Sequence, residues 1–158
     1  MERYIAHHRQ RFDPPARRNV PAHVTVLYPF MDSALLDAQV SGALREVAGA
    51  VPRFEYRLRE TRRFASSLYL APEPGDSFSA LTDGVHRAFP DYPPFAGKFD
   101  TVVPHVTVAH GDEPQLCEIE IELRIALPGA GVAARCEEMV LIEFTGVIWE
   151  PIQVFALG

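Results

Sequence analysis

The sequence has few of the residues that build disulfide scaffolds, metal clusters or membrane spans. Its 158 residues include only two cysteines, Cys117 and Cys136, in no CxxC pattern, so we interpret both as reduced thiols. The N-terminus lacks the apolar run of a signal peptide, and no later stretch is long enough to cross a bilayer, which predicts a soluble, cytoplasmic protein. No Walker-type loop, GxGxxG or HExxH is present, so triphosphate, dinucleotide and zinc-protease sites have no sequence support.

Basic charge is also scarce, and it is unevenly placed. The formal net charge is −6, which disfavours a protein that coats long nucleic acid but allows recognition of a short RNA end. Residues 1–70 carry 11 basic and 7 acidic side chains, whereas residues 71–158 carry 4 and 14. An anion site is therefore expected in the first half. Fourteen of the fifteen basic residues are arginine, which suits bidentate phosphate contacts or simply reflects genomic composition.

The tetrapeptide His-Val-Thr-Val occurs twice, at residues 23–26 and 105–108, with Pro21 and Pro104 just before it. Both copies predict short β-strands, in which His and Thr project from one face and the two valines from the other. Each copy would then offer an imidazole and a hydroxyl to a groove and two valines to a core. If the copies face each other, one imidazole can act as base and the other as acid on opposite sides of a reacting group.

The segments around the tetrapeptides also recur, at a lag of about 80 residues. A helical pattern and a proline-rich loop precede each copy, and a second helical pattern, opened by Asp32 or Asp112, follows it. Alternating residues then predict a strand at 53–60, matched by the run 132–144. These patterns predict the order helix, loop, strand, helix, strand, strand in each half. The first helices are expected at 2–12 and 77–89, the proline-rich loops at 13–15 and 90–94, and the aromatic pairs are Phe64/Tyr69 and Phe144/Trp149. A 47% hydrophobic chain of this length indicates one domain, 1–158, with lobe-forming repeats at approximately 1–73 and 74–158.

The repeat has a purely structural explanation, in which the two tetrapeptides are matching core strands of a duplicated fold. Fully buried strands, however, place apolar residues on both faces. Both copies here keep a polar face of His and Thr, and such a face needs a polar environment. We therefore favour a functional groove over structural duplication alone.

Two His-x-Thr-x strands about eighty residues apart resemble the 2H phosphoesterase superfamily, specifically its 2′-5′ RNA ligase-like branch. The resemblance covers nearly the whole chain and is strongest in Val-Pro-Ala-His-Val-Thr-Val-Leu-Tyr-Pro-Phe and Val-Val-Pro-His-Val-Thr-Val. It implies an α+β fold of two pseudo-twofold lobes, with antiparallel sheets backed by helices and a central cleft. One departure is the start: family members usually begin with a β-strand, whereas the helical pattern here begins at Glu2, so that strand either lies upstream or is absent.

The resemblance also implies a chemistry: metal-independent hydrolysis of 2′,3′-cyclic phosphates of RNA ends or nucleotides, with 2′-5′ RNA ligation in some members. His23 and His105 would be the catalytic acid and base, and Thr25 and Thr107 would bind the phosphate oxygens. No cofactor, metal, membrane or obligate protein partner is implied; the partner would be an RNA terminus or a small cyclic nucleotide. Because histidine titrates near pH 6.5, two imidazoles can supply both protons, and the sequence leaves open which of them is the base.

Weaker candidates surround this set. Phe64, Tyr69 and Trp149 could stack a nucleobase or simply pack in the core. Arginines at 17, 18, 57 and 59 could steer a phosphate or lie on solvated faces. We interpret the helical histidines His7, His8 and His86 as surface residues.

The competing functional hypothesis is a non-catalytic module that binds a nucleotide or RNA end in the same cleft. Intact His and Thr at both copies favour the enzyme.

Overall fold

The alternating segment that begins at Phe54 forms the longest strand of the protein, in a computed structural model that describes residues 1–158. The helices are α1 (Glu2–Phe12), α2 (Pro14–Arg17), α3 (Ala38–Gly49), α4 (Asp76–Ala88) and α5 (Glu113–Ala126), with 3-10 turns at Ser33–Leu35 and Pro94–Gly97. The strands are β1 (Phe54–Phe64), β2 (Ser67–Glu73), β3 (Val106–His110), β4 (Val132–Cys136), β5 (Glu138–Phe144) and β6 (Trp149–Ala156). The fold is α+β, as predicted.

All strand pairs are antiparallel, but they form two unequal sheets. The larger has the order β3-β2-β1-β4, and the smaller is the hairpin β5-β6. β1 is long enough to pair with β2 through its C-terminal part and with β4 through residues 54–58. The larger sheet therefore combines two strands from each half of the sequence.

The apolar residues form two cores, which define two lobes. The larger lobe consists of α1, α5 and the four-stranded sheet, around the buried cluster Ile5, Leu58, Leu68, Leu70, Val106, Val108, Ala109, Leu116, Ile119 and Leu123. The smaller lobe consists of α3, α4 and the β5-β6 hairpin, around Leu44, Ala48, Leu81, Val85, Met139, Phe155 and Leu157. α5 faces its core with Leu116, Ile119 and Leu123 because residues three to four apart share one side of a helix. No helix is both long and apolar enough to cross a membrane.

The predicted strand at residues 23–26 is wrong: this segment belongs to no sheet. Its backbone groups bond elsewhere. Glu2 accepts the Ala22 N–H at 2.6 Å, and the Thr82 hydroxyl donates to the Val26 carbonyl at 2.9 Å. α1 supplies the partner just before the tetrapeptide, and α4 supplies the partner at its last residue. The segment therefore runs between the lobes without a neighbouring strand. In the second copy the strand prediction is confirmed from Val106 onward, and His105 lies just before it.

Three boundaries also differ from the prediction. The helix expected at Asp32 is only a 3-10 turn there, and α3 begins after Asp37, whose carboxylate accepts the Val40 N–H at 2.8 Å. The proline-rich loop after α1 contains the helical turn α2, since proline is favoured in the first turn of a helix. The run 132–144 divides at Glu137 into β4 and β5, which join different sheets.

Candidate active site

His23 is held by two hydrogen bonds within its own tetrapeptide and the residues just before it. Its Nδ1 lies 2.9 Å from the Pro21 carbonyl oxygen and its Nε2 lies 3.2 Å from Thr25 Oγ1. A carbonyl can only accept, so Nδ1 must carry a proton, and the neutral ring then accepts the Thr25 hydroxyl at Nε2. The expectation that His and Thr share one side is confirmed for this copy, although it forms no strand.

His105 repeats the first of these contacts. Its Nδ1 donates to the carbonyl oxygen of Val103 at 2.8 Å, again two residues earlier in the chain. Thr107 lies within β3, opposite Tyr69 of β2. Both rings are thus anchored through Nδ1 with Nε2 turned away from the anchor, the arrangement by which a backbone carbonyl fixes the tautomer of a working histidine.

The valines place the two tetrapeptides at the junction of the lobes. Val106 and Val108 are buried in the larger core, and Val24 packs against the same core. Val26, two residues further along, packs against the smaller core. The predicted assignment of the valines to the cores is confirmed, and it places the first tetrapeptide at the junction between the lobes.

The surroundings of His23 favour its neutral form. Protein atoms around the ring displace water and lower the pKa of His23, although part of its surface stays accessible to solvent. The carbonyl of Pro21 opposes this shift, while the charge of Arg9 and a charge on His105 add to it.

A buried ion pair that sequence reasoning missed holds the segment just before the first tetrapeptide. The guanidinium of Arg9 donates to Asp13 Oδ2 at 3.0 and 2.8 Å and to the Val20 carbonyl at 3.1 Å. Arg9 and Asp13 are only 3% and 2% exposed. This pair joins the end of α1 to the segment that leads into His23. Its signal in the sequence was the i, i+4 spacing of opposite charges on a helix that was otherwise interpreted only by its apolar pattern.

The aromatic residues of the repeat form two separate groups, one around Phe64 and one around Trp149. Phe64 stacks on Tyr69 with ring centroids 4.4 Å apart, and both lie against His105 at 5.1 and 5.4 Å. Phe64 is 41% exposed, whereas Tyr69 is 5% exposed beneath it. In the second group, Trp149 is half-buried between Phe144 at 5.4 Å and Tyr28 at 6.2 Å.

The other charged candidates occupy separate places. Arg18 lies 5.3 Å above the Phe144 ring. The fold therefore brings this arginine, from the loop before the first tetrapeptide, to the aromatic group around Trp149. Arg57, on the interior strand β1, donates to the Ala130 carbonyl at 3.4 Å, just before β4. Of the helical histidines, His8 is buried, contrary to the prediction, because it packs between α1 and α5.

Two further features bear on ligand binding. A cavity of about 500 Å³ lies between α4 and residues 93–102, and neither motif histidine lines it. One group of three metal-ligating side chains is present, His7, His8 and Glu122, and it includes neither His23 nor His105.

Comparisons with known proteins identify the family of this chain. The family model described as the 2′-5′ RNA ligase superfamily matches residues 1–147. A Bacillus pumilus (strain SAFR-032) protein named “Putative phosphoesterase” is 33% identical over 109 residues, covering 65% of this chain and 58% of that protein. A Geobacillus kaustophilus (strain HTA426) protein of similar name is 29% identical over 93 residues, covering 56% and 51%. The matches thus span between half and three-fifths of these relatives' own lengths.

Solved structures share the fold at low identity. The E. coli protein LigT complexed with NADP+ has a TM-score of 0.59 and 19% identity, covering 99% of this chain and 90% of that one. LigT complexed with 3′-AMP gives 0.58 at the same identity and coverage. The protein TT0787 of Thermus thermophilus gives 0.55 at 18% identity, with coverage of 87% and 80%.

Proposed function

Because this chain belongs to the 2′-5′ RNA ligase superfamily, we propose that it is a metal-independent phosphodiesterase that hydrolyses 2′,3′-cyclic phosphates of RNA ends or nucleotides. The observation that carries the proposal is the matched anchoring of His23 and His105, each through Nδ1 to the carbonyl two residues earlier. Equivalent anchoring of two imidazoles suits a pair of groups that exchange protons with a single substrate.

In this proposal His23 is the base and His105 the acid. The lowered pKa of His23 leaves its Nε2 unprotonated at neutral pH and able to take a proton from water. The water oxygen forms a bond to phosphorus as the bond from phosphorus to one ribose oxygen breaks. That ribose oxygen takes a proton from His105 Nε2, and the product is a phosphomonoester. In 2′-5′ ligation a ribose 5′-hydroxyl would take the place of water: its oxygen would form the bond to phosphorus and give its proton to His23, while the 3′ oxygen would leave with a proton from His105.

Thr25 and Thr107 would donate hydrogen bonds to the non-bridging phosphate oxygens as negative charge develops on them. The Thr25 hydroxyl bonds His23 Nε2 in this structure. Turning this hydroxyl toward a bound phosphate would free Nε2 for its proton transfer. Binding of the phosphate would thus make His23 Nε2 available as the base.

The aromatic groups suit a nucleobase beside the phosphate. Phe64, which stacks on Tyr69, lies next to His105, and Trp149 lies in a second group with Phe144, whose ring Arg18 covers. Every base has a π-face, so such platforms accept several bases. NADP+ and 3′-AMP bound to the structural neighbour LigT are ligands of the same chemical class.

The test is turnover of the four nucleoside 2′,3′-cyclic monophosphates and of a short RNA ending in a 2′,3′-cyclic phosphate, all in EDTA. His23→Ala and His105→Ala are expected to lower kcat by about 10²–10⁴-fold, the usual contribution of a general acid or base. Thr25→Val and Thr107→Val are expected to lower it by on the order of 10²-fold, as for other transition-state donors. His86→Ala, which removes a histidine outside the cleft, is the matched control and should retain activity.

The pH profile tests the roles of the two histidines. A bell-shaped kcat/KM is expected, because one ring must be neutral and the other protonated. Since the pKa of His23 is lowered, its protonation should reduce kcat/KM only below pH 6.5, and NMR titration of the His23 ring should give a midpoint below the ordinary value. A midpoint at or above 6.5 would contradict His23 as the base. Tight binding of these substrates without turnover at pH 5–9 would instead identify a binding module.

A further inference from the structure

The contact between α1 and α5 brings together three side chains that the proposed reaction does not use. His7 and His8 lie in the middle of α1, and Glu122 lies in the second half of α5. One ligand atom from each, a ring nitrogen or a carboxylate oxygen, lies within 4.8 Å of the other two. His8 Nε2 lies 3.6 Å from Glu122 Oε2. Two helices that are far apart in sequence thus share one polar cluster.

One of these three side chains is buried and fixed, and the other two are exposed and free to change rotamer. His8 is 4% exposed and cannot move far, since it packs within the interface. His7 is exposed and the Glu122 side chain is 65% exposed, so both can adjust. Zinc bonds of about 2.0–2.1 Å require neighbouring ligand atoms to lie about 3.4 Å apart in a tetrahedron. A shift of about 1 Å in the two exposed side chains would reach that spacing.

The electrostatics of the cluster suit a bound cation. The ring centroids of His7 and His8 lie 3.6 Å apart, so protonating both rings would place two positive charges in contact. Unprotonated imidazoles are the form that binds metal ions. The carboxylate of Glu122 adds the negative charge that a divalent ion needs.

We infer that His7, His8 and Glu122 form a binding site for a divalent transition-metal ion, for which zinc is the best match. Two imidazoles and one carboxylate are a known three-ligand zinc set that leaves a fourth position for water. The same nitrogen-rich set disfavours Mg²⁺ and Ca²⁺, which prefer oxygen ligands. The ion would link α1 to α5 on the larger lobe and stabilise it, without a part in the phosphodiesterase reaction.

The test uses the untagged full-length protein after dialysis against EDTA and then buffer, with ZnCl2 added. A site that binds only the folded state raises Tm, and zinc at 100 times its dissociation constant should raise it by about 5–10 °C for a chain of this size. CoCl2 should give the visible absorption bands of a four-coordinate Co²⁺ site, a signature that non-specific stabilisation does not produce.

Two variants test the ligands. His7→Ala removes an exposed side chain, and Glu122→Gln keeps the shape of the side chain, so both should fold. Each should weaken zinc binding at least tenfold and abolish the Co²⁺ bands. Glu118→Gln, one turn earlier on the exposed surface of α5, is the matched control and should bind zinc as the wild type does.

Absence of a zinc-dependent Tm rise in the wild type would overturn the site, and so would full zinc affinity in either variant. Because the phosphodiesterase assay is run in EDTA, failure of the metal site and failure of the proposed reaction give separate results. Both ligand variants should retain wild-type turnover in that assay.

Discussion

Arg9 and Asp13 form the least exposed ion pair of the protein, and they lie beside the histidine proposed as the base. Two hydrogen bonds join the guanidinium to Asp13, and a third holds the Val20 carbonyl in the segment leading to His23. Burying such a pair costs desolvation energy that its own attraction largely offsets. We therefore assign it a positioning role, in which it fixes the entry of the first tetrapeptide.

Arg9→Met is expected to lower the free energy of unfolding by about 3–5 kcal/mol, because it leaves the Asp13 carboxylate buried without its cation. Removing the positive charge should also raise the pKa of His23. Urea unfolding and NMR titration of the His23 ring measure the two effects. In the double variant Arg9→Met/Asp13→Leu no buried charge remains, so it should lose less stability than the sum of the single variants. Strict additivity would contradict a coupled buried pair.

The four motif side chains could be picked out at the residue scale because the sequence repeats them. The hydrogen bonds of these side chains could not be predicted from the sequence. Whether Nδ1 or Nε2 of His23 faces the substrate depends on the backbone path at Pro21, which brings a carbonyl oxygen within 2.9 Å of Nδ1. The burial of His8 was likewise missed, because a histidine on a helix faces either solvent or a neighbouring helix according to how the helices pack.

At the scale of the elements, α3 shows how two aspartates compete for one helix start. The Asp32 carboxylate accepts the Ala34 N–H at 2.9 Å and caps only a single 3-10 turn, while Asp37 caps the twelve-residue helix that follows. Both residues suit the N-cap position. The extended backbone at Leu36 separates the two segments, so the helix cannot begin at the earlier cap.

Asp37→Ala should lower the free energy of unfolding by about 1 kcal/mol, the typical value for loss of an N-cap bond. Asp32→Ala is the matched control and should cost less, because no α-helix depends on that cap. Urea denaturation of both variants measures the difference. If Asp32→Ala proved the more damaging, α3 would have to begin earlier than its hydrogen bonds indicate.

The two copies of the tetrapeptide illustrate the same limit on sequence reasoning. The same four residues lead into strand β3 in the second copy and form no strand in the first. In the second copy β2 is available as a partner, and Val106 and Thr107 pair with Leu70 and Tyr69. In the first, side chains of α1 and α4 satisfy backbone groups on either side of the segment. Local pattern predicts an extended backbone, and the neighbours decide whether it becomes a strand.

At the scale of the whole molecule, the two lobes do not correspond to the two halves of the sequence. β1 and β2 come from the first half, yet β3 pairs with β2 and β4 pairs with β1. The larger core likewise combines Ile5 and Leu58 with Val108 and Leu116. Each repeat therefore contributes strands to a sheet that it cannot complete by itself.

Fragments 1–73 and 74–158, expressed separately, should each be largely unfolded, because each would expose half of the larger core and the unpaired edge of β1, β2, β3 or β4. Circular dichroism and two-dimensional NMR spectra of each fragment measure this, and the intact chain serves as the control. Mixing the two fragments should restore dispersed NMR signals if the sheet reassembles. Independent folding of either fragment would contradict an intertwined architecture.

By itself, the sequence determined the repeat, the α+β class, the pairing of His and Thr on one side, and the valines that face the cores. These follow from local rules, namely side-chain periodicity and residue chemistry. Tertiary structure alone decided which strands pair across the halves, that residues 23–26 join no sheet, that Arg9 and Asp13 are buried behind His23, and that His7, His8 and Glu122 meet. Each of these depends on contacts between segments distant in the chain, and local propensity carries no information about such contacts.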